Sequence, residues 1–191
     1  MTVLRSYVQG GWHVPAGGAG GGRPLYDAVT GEEVARISSA GIDFAGVLDY
    51  GRRTGSPVLR HLTFHQRAEL LKALGGYLRE HREELYAVSA QTGATLGDSK
   101  FDVDGGIGTL AAYASMGQRQ LPDDTIYVEG DVEALSRGGT FVGQHVCTSL
   151  QGVAVQVNAF NFPVWGRWKN WRPRFSPASP PWSSPRARQR S

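Results

Sequence analysis

The run Asn158-Ala159-Phe160-Asn161-Phe162-Pro163 holds the residues best suited to chemistry. It closes a nearly continuous apolar stretch, Gly152-Val153-Ala154-Val155-Gln156-Val157, of the kind found in a buried parallel strand. Polar residues at the carboxyl end of such a strand stand where α/β sheets put their ligand sites. Asn161 comes just before Phe162-Pro163, and Pro163 has no backbone N–H to give. The asparagine amide carries two N–H donors, the equipment for holding a developing oxyanion. Residue type alone leaves a second reading open and favours it: an amide that satisfies nearby loop carbonyls, as most polar loop residues do.

Other reactive side chains read as structural. Cys147 is the only thiol, so it has no internal disulfide partner, and it lies in an alternating stretch where a cysteine packs as a small hydrophobe. His61, His65 and His81 are not spaced as metal ligands, and no metal site is expected. The glycine-rich stretch 16–22 runs into Arg23-Pro24, not into the Lys-Ser or Lys-Thr of a phosphate-cradling loop, and reads as a flexible surface loop. Gly105-Gly106-Ile107-Gly108 is not preceded by a strand, so it reads as a close helix contact and not as a dinucleotide fingerprint.

The elements that must position these residues follow from periodicity and turn chemistry. Residues 5–14 read as a β-hairpin around Gly10-Gly11, and 25–38 as two short strands around Thr30-Gly31-Glu32. Over 64–91, Leu70, Leu71, Leu74, Leu78, Leu85 and Val88 form one apolar stripe on an amphipathic helix. Thr63 is its N-cap and Gln66 completes a capping box. Gly75-Gly76 inside that helix costs about 1 kcal/mol per glycine relative to alanine, which suggests close packing against a neighbour. A second helix is expected over 98–118, capped by Asp98, with Leu110, Ala111, Tyr113 and Ala114 on its apolar side. Residues 125–129 and 140–147 alternate as strands on either side of Arg137-Gly138-Gly139.

The chain has 191 residues, with 40% hydrophobic and 19% charged, which places it with globular proteins rather than disordered ones. No apolar run is long enough to span a bilayer, and the first twelve residues lack a basic-then-apolar leader pattern. With the single cysteine, this reads as a soluble cytoplasmic protein that does not engage a membrane. The net charge of +3 misleads, because seven of the 20 basic residues and no acid lie after Gly166. Without them, 13 bases face 17 acids. The high isoelectric point therefore belongs to the tail and is poor evidence for a nucleic-acid partner.

Gly152-Val153-Ala154 followed by Asn161-Phe162-Pro163 resembles the strand and Asn-Phe-Pro signature of the aldehyde dehydrogenase superfamily. Tyr7-Val8-Gln9-Gly10-Gly11-Trp12 resembles the family's opening hairpin and Asp27-Ala28-Val29-Thr30-Gly31-Glu32 its next turn. The likeness covers roughly 4–166. More narrowly, residues 156–166 are similar to the bifunctional phenylacetate-degradation enzymes, which join an aldehyde dehydrogenase to a ring-opening, hydratase-like domain. The resemblance implies an α/β fold: a helical segment with small hairpins, then the start of a doubly wound nicotinamide-binding domain, cut short. It implies NAD- or NADP-dependent oxidation of an aldehyde to an acid by a homo-oligomeric parent enzyme. In this family a cysteine thiolate far downstream attacks the aldehyde. The asparagine matching Asn161 donates to the thiohemiacetal oxyanion, and the backbone matching Asn158, Ala159 and Phe160 lines the cofactor cleft. This chain has Asn-Ala-Phe where many members carry a proline and a tryptophan before the asparagine.

Beyond Gly166 the pattern breaks. Arg, Pro and Ser make up 16 of the last 25 residues, and no helical or strand period survives. Read in a shifted frame, codons for Trp168-Lys169-Asn170-Trp171-Arg172 give Glu, then Lys or Glu, then Leu, then Ala. With GC-rich codons the remainder continues to Lys-Pro-Ala-Ser, resembling the family's cofactor-ribose lysine motif. The expectation is a partial aldehyde dehydrogenase domain over 1–166 and a non-native, frame-shifted, disordered tail over 167–191. Such a chain is inactive alone. The alternatives are a non-catalytic module pairing with full-length subunits through its β-segments, or a nucleic-acid binder acting through the tail.

Overall fold

A computed structural model of the chain describes residues 2–17, 21–158 and 162–167. The first strands are set by their turns. β1 (Thr2–Val3) leads to β2 (Ser6–Val8) and β3 (Gly11–His13), an antiparallel hairpin in which Tyr7 lies opposite Trp12. Its turn is centred on Gln9 and Gly10, one residue earlier than expected. Both take positive φ, 51° and 80°, as a two-residue hairpin turn requires. β4 (Arg23–Tyr26) and β5 (Glu33–Ile37) pair antiparallel, with β1 parallel on the other edge of β5. Between β4 and β5, Asp27 Oδ1 accepts the N–H groups of Val29 and Thr30 at 2.7 and 3.0 Å, and Gly31 takes φ 75°. The glycine-rich stretch leads into β4 and not into a helix, as its reading as a loop requires.

Residues 44–61, which carry no expected element, are helical. They form α1 (Phe44–Tyr50), one π-helical turn (Gly51–Gly55) and α2 (Ser56–His61). Pro57 falls in the first turn of α2, directly after the π-helical turn, and has no backbone N–H to give.

α3 (Phe64–Glu80) starts at the capping box, with Gln66 N–H donating to Thr63 Oγ1 at 3.1 Å and Thr63 N–H to Gln66 Oε1 at 2.9 Å. The single helix expected over 64–91 divides. His81 leaves helical geometry, its ring lying 4.3 Å from that of Tyr77 and its Nδ1 2.8 Å from Glu84 Oε1, and α4 (Arg82–Ala90) begins. The buried positions of α3 include Phe64, Ala68, Leu71, Gly75 and Leu78, alternating steps of four and three that keep one face on the core. Leu70 stands one residue off that face and is half exposed, and Val88 of α4 is mostly exposed.

α5 (Leu96–Gln120) begins a turn earlier than expected. Its cap is Thr95, and Asp98 is the reciprocal partner: Asp98 N–H donates to Thr95 Oγ1 at 3.2 Å while its carboxylate accepts from Thr95 N–H at 3.3 Å. Val103, Ile107, Leu110 and Ala114 line its buried side, Tyr113 packs against them, and Ala111 is exposed. They meet Leu71 and Leu78 of α3 and Tyr86 of α4 in the hydrophobic core. Gly75 faces α5, where a Cβ would stand 3.7 Å from that of Leu110.

β6 (Ile126–Ala134) and β7 (Val142–Thr148) form a separate antiparallel hairpin, its ladder interrupted between Glu129 and Glu133, with Gly139 at φ 67° in the turn. Cys147 pairs with Tyr127 and is half-buried outside the core cluster, so it is less packed than expected. The run 152–157 is not a strand. It pairs with no described strand, and Val155 and Val157 are 79% and 90% exposed. An apolar run becomes a buried parallel strand only with neighbours to bond and cover it, and no described strand lies alongside.

Candidate active-site segment

The segment from Ser149 to residue 167 carries the Asn-Phe-Pro run and is held near both ends by buried charges from the helices. At the far end, residues 162–167 turn across α5. The Val164 and Trp165 N–H groups donate to Asp102 Oδ2 and Oδ1 at 3.0 and 2.7 Å. Asp102 is 2% exposed. Two charge-assisted hydrogen bonds offset the desolvation of a buried carboxylate. The Phe101 ring lies edge-on to Trp165 at 4.9 Å and to Phe162 at 6.4 Å, and Val164 packs on the core cluster. One turn on, Gly105 makes room: a Cβ there would come within 3.0 Å of the Trp165 ring. Of the cluster 105–108, expected as a close helix contact, Gly105 makes such a contact with the Trp165 ring, whereas a Cβ on Gly108 would meet nothing within 4 Å.

At the near end, Arg67 of α3 is also 2% exposed and sits on the buried face between Phe64 and Leu71. Its Nη1 donates to Ser149 Oγ at 3.1 Å and its Nε to the Thr63 carbonyl at 3.4 Å, while the guanidinium lies 4.8 Å from the centre of the Phe64 ring. Nη2 is buried without a partner among the described residues, and burial pushes the guanidinium pKa down. Tyr86, at the other side of the core, donates to Asp104 at 2.8 Å; burial raises its phenol pKa, and the Asp104 hydrogen bond raises it further.

Asn158 is half-buried, and its side-chain Oδ1 faces Gly166, 3.7 Å from where a Cβ would stand. Ala159, Phe160 and Asn161 lie outside the described residues, as does the tail from 168 onward. Asp102 and Arg67 escaped the sequence reading. Their signal was a charge on a helical face whose other members are apolar. A recess beside the turn, lined by Leu85, Val88, Ser89, Pro163, Val164 and Arg167, is largely apolar. Among the described residues, no cluster of three or more His, Cys, Asp or Glu could hold a metal ion, and no helix is long and apolar enough to cross a membrane.

The sequence model of the aldehyde dehydrogenase family matches residues 19–172. This chain belongs to that family. It is 42% identical over 183 residues to the 3,4-dehydroadipyl-CoA semialdehyde dehydrogenase of Aromatoleum evansii, a match covering 95% of this chain and 35% of the relative. That match therefore reaches past Gly166, and the chain spans about a third of the relative's length. Among solved structures, a 3,6-anhydro-L-galactose dehydrogenase in complex with NADP superposes with a TM-score of 0.71 at 20% identity, over 91% of this chain and 34% of that one. An Escherichia coli NADP-dependent enzyme gives 0.62 at 16% identity, over 88% and 33%. Betaine aldehyde dehydrogenase of Staphylococcus aureus with NAD+ gives 0.54 at 20%, over 66% and 25%. The helices and small sheets described above are the amino-terminal part of the aldehyde dehydrogenase fold.

Proposed function

We propose that this chain is the amino-terminal third of an enzyme that oxidises a CoA-linked semialdehyde, in phenylacetate catabolism, to its acid with NAD or NADP. The observation that carries this reading is the 42% identity to a CoA-semialdehyde dehydrogenase across 95% of the chain. In the complete cytoplasmic, homo-oligomeric enzyme, Asn161 donates its amide N–H to the oxyanion formed when a downstream thiolate adds to the aldehyde carbon. Asn158, Ala159 and Phe160 line the nicotinamide cleft, and a half-buried amide such as Asn158 suits the carboxamide and ribose hydroxyls of that group. When bound, the nicotinamide supplies the hydride acceptor.

The 191-residue chain does not perform this reaction alone. Its one thiol, Cys147, sits in β7 ahead of Asn161 and pairs with Tyr127. The basic tail is read as a shifted frame of the same gene on its composition and its back-translation alone, since the family match runs to 172 and the match to the relative runs further into the tail. Resequencing the gene across the Gly166 codon tests it, since an uninterrupted frame would remove the shift. The purified chain is expected to form no NADH or NADPH from 3,4-dehydroadipyl-CoA semialdehyde, whereas the frame-restored protein forms it. Thiol-dependent turnover by the short chain, abolished in Cys147→Ala, would overturn the reading.

A second reading has its own observation. Among the described residues β6 and β7 pair only with each other, and Val128, Val132, Val142 and Val146 are about half exposed. A hairpin of that kind suits a module that assembles with full-length subunits. Co-purification of this chain with the full-length enzyme, lost when 126–148 are deleted, is its test.

A further inference from the structure

The Asp102 carboxylate is aimed at one target. An ionised carboxylate withheld from water is unfavourable unless strong donors meet it. Each oxygen of Asp102 takes one backbone N–H, from Val164 and Trp165. These two amides enter the helical turn at 165–167, where amides have no acceptor in their own helix. Pro163, just before them, has no N–H, so these are the first donors after the Asn-Phe-Pro run. Three positions of one α5 face serve the same turn: Phe101 packs on Phe162 and Trp165, Asp102 holds the two amides, and Gly105 clears space for the Trp165 ring.

We propose that Asp102 is a positioning residue for the oxyanion chemistry assigned to Asn161: its carboxylate clamps the 164–165 amides of the turn that begins one peptide bond after the asparagine. The proposal rests on the oxyanion reading of Asn161. An oxyanion donor works only when held to within a fraction of an ångström, and a misplacement near 1 Å lowers turnover by about a hundredfold. A carboxylate suits this clamp because it offers two acceptors to two N–H groups. The isosteric asparagine has one carbonyl oxygen and would set its NH2 against the second donor.

Two measurements test it. In the 191-residue chain, amide hydrogen exchange at Val164 or Trp165 should be at least about tenfold faster in Asp102→Asn, while Leu71 and Leu110 keep their protection. In the frame-restored enzyme, with 3,4-dehydroadipyl-CoA semialdehyde as probe, Asp102→Asn should lower kcat by about ten- to a hundredfold with cofactor KM nearly unchanged. Combined with Asn161→Ala it should lower kcat little further, because both act through one group. Should Asp102→Asn fail to fold, Gly105→Ala, which keeps the helix but presses on Trp165, should lower kcat in the same way. Unchanged exchange, unchanged kcat or full additivity would overturn the proposal. If Asn161→Ala lowers kcat and Asp102→Asn does not, the positioning role fails and the oxyanion reading stands. If Asn161→Ala is itself silent, the oxyanion reading fails and takes the positioning role with it.

Discussion

Val103, Ile107 and Leu110 in α5 and Val153, Val155 and Val157 after β7 are chemically alike, yet the first three are at most 3% exposed and the last three at least 45%. The α5 residues have α3 and α4 to pack against, so their apolar area leaves water. The second run has no described strand beside it, and apart from Val153 against Gly51 its apolar area stays largely in water. The difference separates a helical unit with its own core from a segment whose burial depends on strands from elsewhere. The candidate catalytic run follows that unburied segment, and it is held to the helical unit by buried charges, Arg67 on Ser149 and Asp102 on the 164–165 amides, beside the apolar contacts of Phe162, Val164 and Trp165.

The largest effect expected in the short chain is in the core. Leu110→Ala, at a fully buried site across from Gly75, should destabilise it by about 3 kcal/mol, whereas Val155→Ala should change stability by under about 0.5 kcal/mol. Urea unfolding of both variants checks this, and equal effects would dissolve the comparison. The Arg67 tether can be strengthened instead of broken. Ser149→Asp brings a carboxylate to a buried guanidinium with an unpartnered Nη2 and should stabilise by about 1 kcal/mol. Loss of stability in that variant would mean that Nη2 is not an available donor. The smallest effect separates two adjacent glycines. A Cβ on Gly76 meets nothing within 4 Å, so Gly76→Ala should add about 1 kcal/mol from helix propensity alone. Gly75→Ala should add less, because its methyl must fit against Leu110 at 3.7 Å.

What was legible in the sequence was local. The first hairpin, the Thr63–Gln66 box and the strands around Gly31 and Gly139 follow from rules spanning two to five residues, and the structure keeps all of them. Only the hairpin's turn is displaced, to Gln9-Gly10, because Gln9 accepts a positive φ that sequence rules assign to glycine. The α5 start was misjudged by a turn because Thr95 and Asp98 are both good caps, and only their reciprocal bonds assign the roles. Residues 44–61 were silent because glycines at 46, 51 and 55 and Pro57 mimic loop composition. The strand expected at 152–157 rested on composition, but its formation is decided by partners that a local pattern cannot report. In the candidate site, Asn161 is a proposal carried by its motif and lies outside the described residues. Asp102 was not legible, because its partners lie 62 and 63 residues further along the chain.

The central claim is that Asn161 is the oxyanion donor of an aldehyde dehydrogenase. The most direct test is the turnover of Asn161→Ala in the frame-restored enzyme, with cofactor binding measured on the same protein. The account predicts a fall in kcat of about a hundred- to a thousandfold with cofactor affinity little changed, and a fall at least as large in Asn161→Asp, where a carboxylate opposes the developing charge. A nearly normal kcat in Asn161→Ala would make the residue a loop amide and contradict the claim.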